Sequence, residues 1–341
     1  MAEPGDLLAS LPRVREAAVA ADGLDAMLAG ANAPFVVRGV AADWPLVQAG
    51  RAGAAAARAL LAADARDRPF PASIGAAGSD GRFFYDDGMG MNFRMVSAPL
   101  PELLDAMANA ADAPDAPAIY LSSIDIGHYF HQLGAANRLD LGTRQPLASI
   151  WIGTRTCIAA HNDVPANVAV CAVGRRRFTL FPPDQFANLH LGPLENTPAG
   201  RPVSMVDVRS PDLERFPRFA AALAHAQVAE LEPGDAIFVP SLWWHHVEGL
   251  APFNVLVNYW WRDVPRWLGN PEDALLHAIL AVRDLPSQQR AQWRDLFEHY
   301  VFAPDKDVIA HLPPAGLGIL APLTADTAGQ IRARLLRGLS R

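Results

Sequence analysis

Short apolar runs broken by glycine and proline fill the middle of this chain, whereas both ends carry helix-like periodicity. Leu147 to Gly153 reads as one strand and Asn167 to Cys171 as another, with a turn expected at Gly174. Arg177-Phe178-Thr179-Leu180-Phe181 forms a third strand, ended by Pro182-Pro183. Pro233-Gly234-Asp235 supplies a turn ahead of a short buried strand that runs to Pro240. Strands punctuated in this way predict a mainly β protein with flanking helices, built on a jelly-roll core whose mouth can hold a ligand.

Around that core the text changes. Pro34 to Gly39 and Arg82 to Tyr85 read as strands, and residues 51–64 as an alanine-rich helix. Leu100 to Ala111 reads as a helix with Leu103, Leu104 and Met107 on one face. The stretch from Asp184 to Phe219 is long for a barrel connection and rich in Pro and Asn, which suits a substrate lid. Beyond Trp261, Glu272 to Arg283 groups Leu275, Leu276, Ile279 and Leu280, and Gln288 to Phe302 groups Trp293, Leu296, Phe297 and Tyr300. A last helix begins at Thr324, with an Asp near its start and arginines towards its end, as the helix dipole favours. The expected division is 1–112, N-terminal buttressing elements; 113–265, the jelly-roll core; and 266–341, a C-terminal helical region.

The 341 residues can bury a sizeable core. No apolar run reaches membrane-spanning length, and the acidic N-terminus lacks a basic segment followed by an apolar stretch. Neither a membrane segment nor a signal peptide is therefore expected. Two cysteines argue against a disulfide scaffold, and a reducing cytoplasm is the expected setting. The formal charge of -7 disfavours binding to a nucleic-acid backbone, despite the local cluster Arg175-Arg176-Arg177.

Chemistry enters with His161-Asn162-Asp163. In an extended chain residues i and i+2 share a face, so His161 and Asp163 can grip one metal while Asn162 turns away. A third nitrogen from His245, in Pro240-Ser241-Leu242-Trp243-Trp244-His245, completes two imidazoles and one carboxylate. That set suits iron(II) and leaves positions open for a cosubstrate and dioxygen. The neighbouring His246 competes for the role, but adjacent strand residues point to opposite sides, so one of the pair is excluded. His128 and His131 share i, i+3 spacing without a cysteine or carboxylate frame, and are expected to be structural or to line a substrate lip. Cys157 and Cys171 lack zinc spacing, and the chain has neither a Gly-x-Ser-x-Gly elbow nor a phosphate-binding glycine loop.

A longer pattern surrounds these residues. Phe181-Pro182-Pro183-Asp184-Gln185-Phe186, Pro211-Asp212-Leu213-Glu214-Arg215-Phe216-Pro217, Trp243-Trp244-His245-His246 and Val257-Asn258-Tyr259-Trp260 follow in order, preceded by Met91-Asn92-Phe93 and Tyr120-Leu121. Over positions 90–262 the chain resembles the JmjC/cupin-type iron(II)- and 2-oxoglutarate-dependent oxygenases. The likeness is strongest to the asparaginyl hydroxylase that inhibits hypoxia-inducible factor and to its bacterial cupin-like relatives.

The resemblance implies a double-stranded β-helix with iron(II) on His161, Asp163 and His245 and with 2-oxoglutarate as cosubstrate. It selects His245 over His246, because the family ligand follows directly on two aromatics. Most JmjC relatives hold the distal carboxylate with a lysine. Here the register from His161 through Gly174 puts Arg176 at that position, and the one lysine, Lys306, lies outside the matching region. Alternation sends Arg176, Phe178 and Leu180 inward and Arg175, Arg177 and Thr179 outward. Arginine can clamp a carboxylate through two parallel hydrogen bonds. Tyr120 matches a tyrosine that supports the same carboxylate, whereas Ile158 stands where the family has a threonine. Asn167 and Asn258 match asparagines near the iron and cosubstrate, and Trp260 matches an aromatic wall.

The implied reaction hydroxylates a C–H bond of a polypeptide side chain or small molecule, with 2-oxoglutarate decarboxylated to succinate and CO2. The look-alike also implies a homodimer through the C-terminal helices. Two alternatives stay open: a cupin using another divalent metal for non-oxidative chemistry, and a binding or regulatory module without turnover on the same barrel.

Overall fold

The computed structural model describes residues 7–340 except 9, 20–22, 112, 114, 115 and 303–308. Lys306 and the expected boundary at residue 112 lie outside the described residues. The chain forms two compact units, Met1–Arg262 and Asp263–Arg341. Among the described residues no helix is long and apolar enough to cross a membrane.

The first unit is organised by thirteen strands: β1 Phe35–Val37, β2 Pro69–Gly75, β3 Arg82–Phe83, β4 Phe93–Pro99, β5 Ile119–Asp125, β6 Leu147–Gly153, β7 Cys157–Asn162, β8 Ala166–Val173, β9 Arg176–Phe181, β10 Gln227–Leu231, β11 Ala236–Val239, β12 Trp244–Gly249 and β13 Asn254–Trp261. One sheet has the order β1-β11-β8-β13-β6-β5-β2-β4, the other β10-β9-β12-β7-β3. From β6 to β13 the chain distributes its strands between the two sheets as a jelly roll does, with antiparallel neighbours. β2, β4 and β5 extend the larger sheet on one side, so part of the N-terminal region is built into the barrel wall.

Strand periodicity decides what lies inside. Val255, Val257 and Tyr259 of β13 face outward, against a core shared with the helices Pro45–Ala52, Ala54–Asp64 and Leu100–Ala110. Leu256 faces inward with Phe178, Leu180 and Val247, between the sheets. The outer face of the smaller sheet is covered by the long connection after β9, whose Leu189, Val206, Val208 and Phe219 pack on Phe181 and Trp244. Each such side chain contributes on the order of 1.5–3 kcal/mol by leaving water, so the three layers hold the barrel from inside and from both faces.

Several elements differ from expectation, each for a local reason. The helix expected over 51–64 is two helices, because Gly53 takes φ 135° and breaks the turn. The strand expected over Arg82 to Tyr85 stops at Phe83, since the Asn92 side chain caps it, accepting from Phe84 N and donating to the Arg82 carbonyl. β2 escapes sequence reading because Pro69 and Pro71 argue against a strand. It pairs with β5 only at Ser73 and Ile74, so its prolines occupy a stretch whose β5 side has no ladder partner. Thr179 does point out of the barrel, yet it is fully buried beneath the long connection.

In the second unit, the helices Pro271–Ala281, Ser287–Phe297 and Ala325–Leu339 are built on local signals. Asn270 caps the first, and Thr324 and Thr327 form a reciprocal cap on the last. Their apolar faces are largely open, with Leu280 at 75% and Leu336 at 65% exposure.

Candidate active site

His161 on β7 and His245 on β12 are register partners in the antiparallel ladder, and their ring centroids lie 4.4 Å apart. β7 ends at Asn162, so Asp163 sits just past the strand, where its carbonyl accepts from Leu242 N at 2.8 Å. That bond ties the chain after His161 to the turn before His245. Asp163 Oδ2 lies 3.7 Å from His245 Nε2, and one ligand atom of each of the three residues falls within 4.8 Å of the others. No other group of three or more such side chains gathers in this way among the described residues.

Backbone carbonyls set the tautomers. Nδ1 of His161 donates to the Ala159 carbonyl at 2.9 Å, and Nδ1 of His245 to the Trp243 carbonyl at 3.0 Å. A carbonyl only accepts, so each Nδ1 carries the proton and the neutral ring presents its Nε2 lone pair. Burial, followed by the neighbouring His245, pushes the His161 pKa down to about 4, which keeps that lone pair free near neutral pH. His246 points the other way, into the covered face of the sheet, with Cys157 Sγ at 3.9 Å and Glu248 Oε2 at 3.8 Å from its Nε2. Burial pushes it to about 3, so it is a neutral, packed side chain.

The triad opens onto a cavity of about 380 Å³ between the sheets. Tyr120, Asn167, Arg176, Asn258 and Trp260, the residues expected to meet the cosubstrate, border the same cavity. His128 and His131 are exposed and do not line it.

Arg176 is the largest fully buried side chain among the described residues, at 1% exposure. Its Nη1 donates to the Thr156 hydroxyl at 3.4 Å, while Nε and Nη2 have no hydrogen-bond partner. Burial lowers its pKa, and Tyr120 and Cys171 oppose that shift. A guanidinium nevertheless keeps its proton, so this is a buried cation lacking an anion. Nε and Nη2 form the edge that takes one carboxylate through two parallel bonds. Arg175 and Arg177 are neutralised outside the barrel, by Glu232 at 2.8 Å and by Glu230 at 3.0 Å. Burial also raises the Tyr120 pKa, so its hydroxyl stays protonated.

Asn258 donates to Asn167 Oδ1 at 3.0 Å, leaving its own Oδ1 without a partner. Trp260 meets Trp151 edge to face at 5.8 Å, and Trp151 lies 5.8 Å from Tyr120. Ile158 lines the wall as an apolar residue. Sequence reading missed Thr156, and it missed Ser122 and Ser123, both of which line the cavity. The ladder between β5 and β6 is irregular between Leu121 and Ile124, and Ser123 takes φ 52°. That bulge brings two consecutive residues to one face, which alternation alone forbids. The long connection also reaches the site: Pro198, Ala199 and Gly200 line the cavity, and Arg201 donates from Nε to the Asn162 carbonyl at 3.2 Å.

The donor set fits a divalent transition metal: two neutral imidazoles and a carboxylate on one side, with the cavity on the other. The orphaned edge of Arg176 fits a carboxylate.

The cupin-like domain family matches residues 22–266. HSPB1-associated protein 1 of Homo sapiens is 32% identical over 154 residues, covering 42% of this chain and 30% of that protein. Its Danio rerio homolog is 34% identical over 167 residues, 47% of this chain and 36% of that protein. The tRNA wybutosine-synthesizing protein 5 of Danio rerio is 35% identical over 132 residues, 38% of this chain and 37% of that protein. The chain thus spans about a third of the length of the curated relatives it matches.

Proposed function

The chain belongs to the cupin-like, JmjC-type family, and from that premise we propose that it is an iron(II)- and 2-oxoglutarate-dependent oxygenase that hydroxylates a C–H bond. The observation that carries the reading is one cavity bordered by both a metal-competent triad and a buried guanidinium edge without an anion. His161, Asp163 and His245 would hold the metal. Arg176 would take the distal carboxylate of the cosubstrate on Nε and Nη2, beside the protonated hydroxyl of Tyr120.

When bound, iron(II) with 2-oxoglutarate and dioxygen supplies the oxidising power: one oxygen atom enters the substrate C–H bond, the other enters succinate, and CO2 leaves. The chain's own contribution is position and dryness. Asp163 would supply the one anionic ligand, and the tautomers of both histidines are set by backbone carbonyls without a metal. Phe178, Val247 and Leu256 keep the cavity wall apolar, which limits water near the reacting atoms. Asn167 and Asn258 offer amide groups to the cavity, and Trp260 forms part of its wall.

The substrate is proposed to be a polypeptide side chain or a small molecule. One relative's name refers to tRNA wybutosine synthesis, but the formal charge of -7 disfavours a nucleic-acid partner for this chain. The apolar Ile158 on the cosubstrate wall favours a second reading, a barrel that binds without turnover or that uses a metal non-oxidatively. The test is anaerobic titration of the protein with iron(II) and 2-oxoglutarate, watched for the visible charge-transfer band of the chelate, followed by assay of succinate in air. A band without succinate supports the silent module. Metal binding with neither band nor succinate supports the non-oxidative cupin.

A further inference from the structure

We infer that Thr156 is the positioning residue that decides which edge of the Arg176 guanidinium meets a carboxylate. The inference rests on the oxygenase reading for the identity of that carboxylate, the distal group of 2-oxoglutarate.

Thr156 lies in the turn between β6 and β7, is 3% exposed, and does not itself line the cavity. Its carbonyl accepts from Gly249 N at 2.8 Å, and Gly249 is the register partner of Arg176. The threonine is thereby fixed to the same stretch of sheet as the arginine. Its hydroxyl accepts from Nη1 of Arg176. In a guanidinium Nη1 sits on the Cδ side, so occupying it leaves Nε and Nη2 as an intact pair directed the same way. Those are the two atoms without partners. A neutral acceptor is what this position needs. An aspartate or glutamate here would orient the fork but cancel its charge, leaving little to attract an incoming anion.

Two glycines make room for the arrangement. A Cβ on Gly249 would lie 3.1 Å from the Thr156 hydroxyl and 3.2 Å from Nη1 of Arg176. A Cβ on Gly153 would lie 3.2 Å from Thr156 Cγ2 and 2.9 Å from Tyr120 Cδ2. Thr156 therefore packs beside both Arg176 and Tyr120, in space that these two glycines leave open. Ile158 offers the cavity wall no hydroxyl, and the hydroxyl of Thr156, two residues earlier, acts on the Arg176 guanidinium.

The experiment is calorimetric titration of 2-oxoglutarate and of pyruvate into wild type, Thr156→Val and Thr156→Ser, both metal-free and anaerobic with iron(II). Pyruvate keeps the 2-oxo acid head but lacks the distal carboxylate. Loss of one hydrogen bond to a charged group should raise the 2-oxoglutarate Kd of Thr156→Val roughly tenfold or more. Pyruvate and iron(II) affinities should be unchanged, and Thr156→Ser should restore 2-oxoglutarate binding. Should Thr156→Val fail to fold, Gly249→Ala, which crowds the hydroxyl without removing it, is expected to weaken 2-oxoglutarate in the same selective way.

Equal 2-oxoglutarate affinity in wild type and Thr156→Val would overturn the assignment and leave the oxygenase reading intact. So would a loss shared equally by pyruvate, because that is a general structural effect. Threonine-dependent 2-oxoglutarate binding without a chelate band on iron(II) would support the assignment and overturn the oxygenase reading. Absence of 2-oxoglutarate binding in both forms of the wild type would overturn both.

Discussion

His161 and His245 stand directly opposite each other in the β7–β12 ladder, each with Nδ1 tied to the carbonyl two residues before it. The ladder fixes the spacing of the two rings and the carbonyls fix their orientation. Neither depends on a metal being present, so the site is preorganised. His245→Ala should lower iron(II) affinity by more than about 100-fold, beyond the loss typical of a residue that only supports a ligand. Chelator competition measures this directly. His246→Ala should bind iron(II) like the wild type, and equal losses in the two variants would show that the assignment of the pair is wrong.

Arg176 predicts two opposite effects of one change. Arg176→Met should weaken 2-oxoglutarate by roughly 30-fold or more, as expected for removal of one side of a buried charge pair. The same substitution removes an uncompensated buried cation from the ligand-free protein, and an apolar side chain of similar reach fills the space. Ligand-free Arg176→Met should therefore melt above the ligand-free wild type, while 2-oxoglutarate no longer raises its Tm. A lower melting temperature would mean that the guanidinium is already satisfied in the resting protein.

Acid sensitivity follows from His161 and His246, pushed by burial to about 4 and about 3 against an ordinary value of 6.5. The unfolded chain then binds more protons than the folded one once pH falls below 6.5. The stability contributed by neutral burial is present above that pH and is lost as pH drops towards the folded values. Urea unfolding of the metal-free protein should lose stability at up to about 1.4 kcal/mol per pH unit for each such histidine between about pH 6 and pH 4, with His161 losing slope first as pH nears 4. His246→Phe should shallow that slope by one histidine's share. A slope identical to wild type would remove His246 from the account.

The C-terminal unit carries Leu280, Trp293 and Leu336 exposed on helices that bury almost nothing. Such faces are covered in stable proteins, and a second copy of the chain is the expected cover. Light scattering should give twice the 36.7 kDa chain mass for the wild type. Leu280→Glu combined with Leu336→Glu should give the single mass, with iron(II) affinity retained. A monomeric wild type would refute the dimer.

How far the site could be read from the sequence depended on whether the signal was local. His161 and Asp163 are two residues apart, which strand alternation reads as one side, although β7 ends at Asn162 and the Leu242 N–H to the Asp163 carbonyl holds the chain there. His245 was separable from His246 by the same alternation, once the two preceding aromatics set the frame. Arg176 was reachable by counting from Gly174, because no insertion intervenes between the turn and the strand. β2 was not reachable, since its two prolines are tolerated only by a pairing pattern that forms at a distance. The Ser122–Ser123 bulge was equally hidden, because a break in register belongs to two strands at once.

By itself, the sequence determined the strand periodicity, the cap at Thr324 and the His161–Asp163 pair, all of which are set within a few residues along the chain, whereas His245 joins that pair only through the β7–β12 ladder. Only the tertiary structure decided that Thr156 would hold Arg176, that the long connection would bury Thr179 and His246, and that the same fold would leave Arg176 without an anion. Those outcomes depend on which distant segments share a wall and on how much room glycines such as Gly249 leave between them. Local propensity carries no information about either.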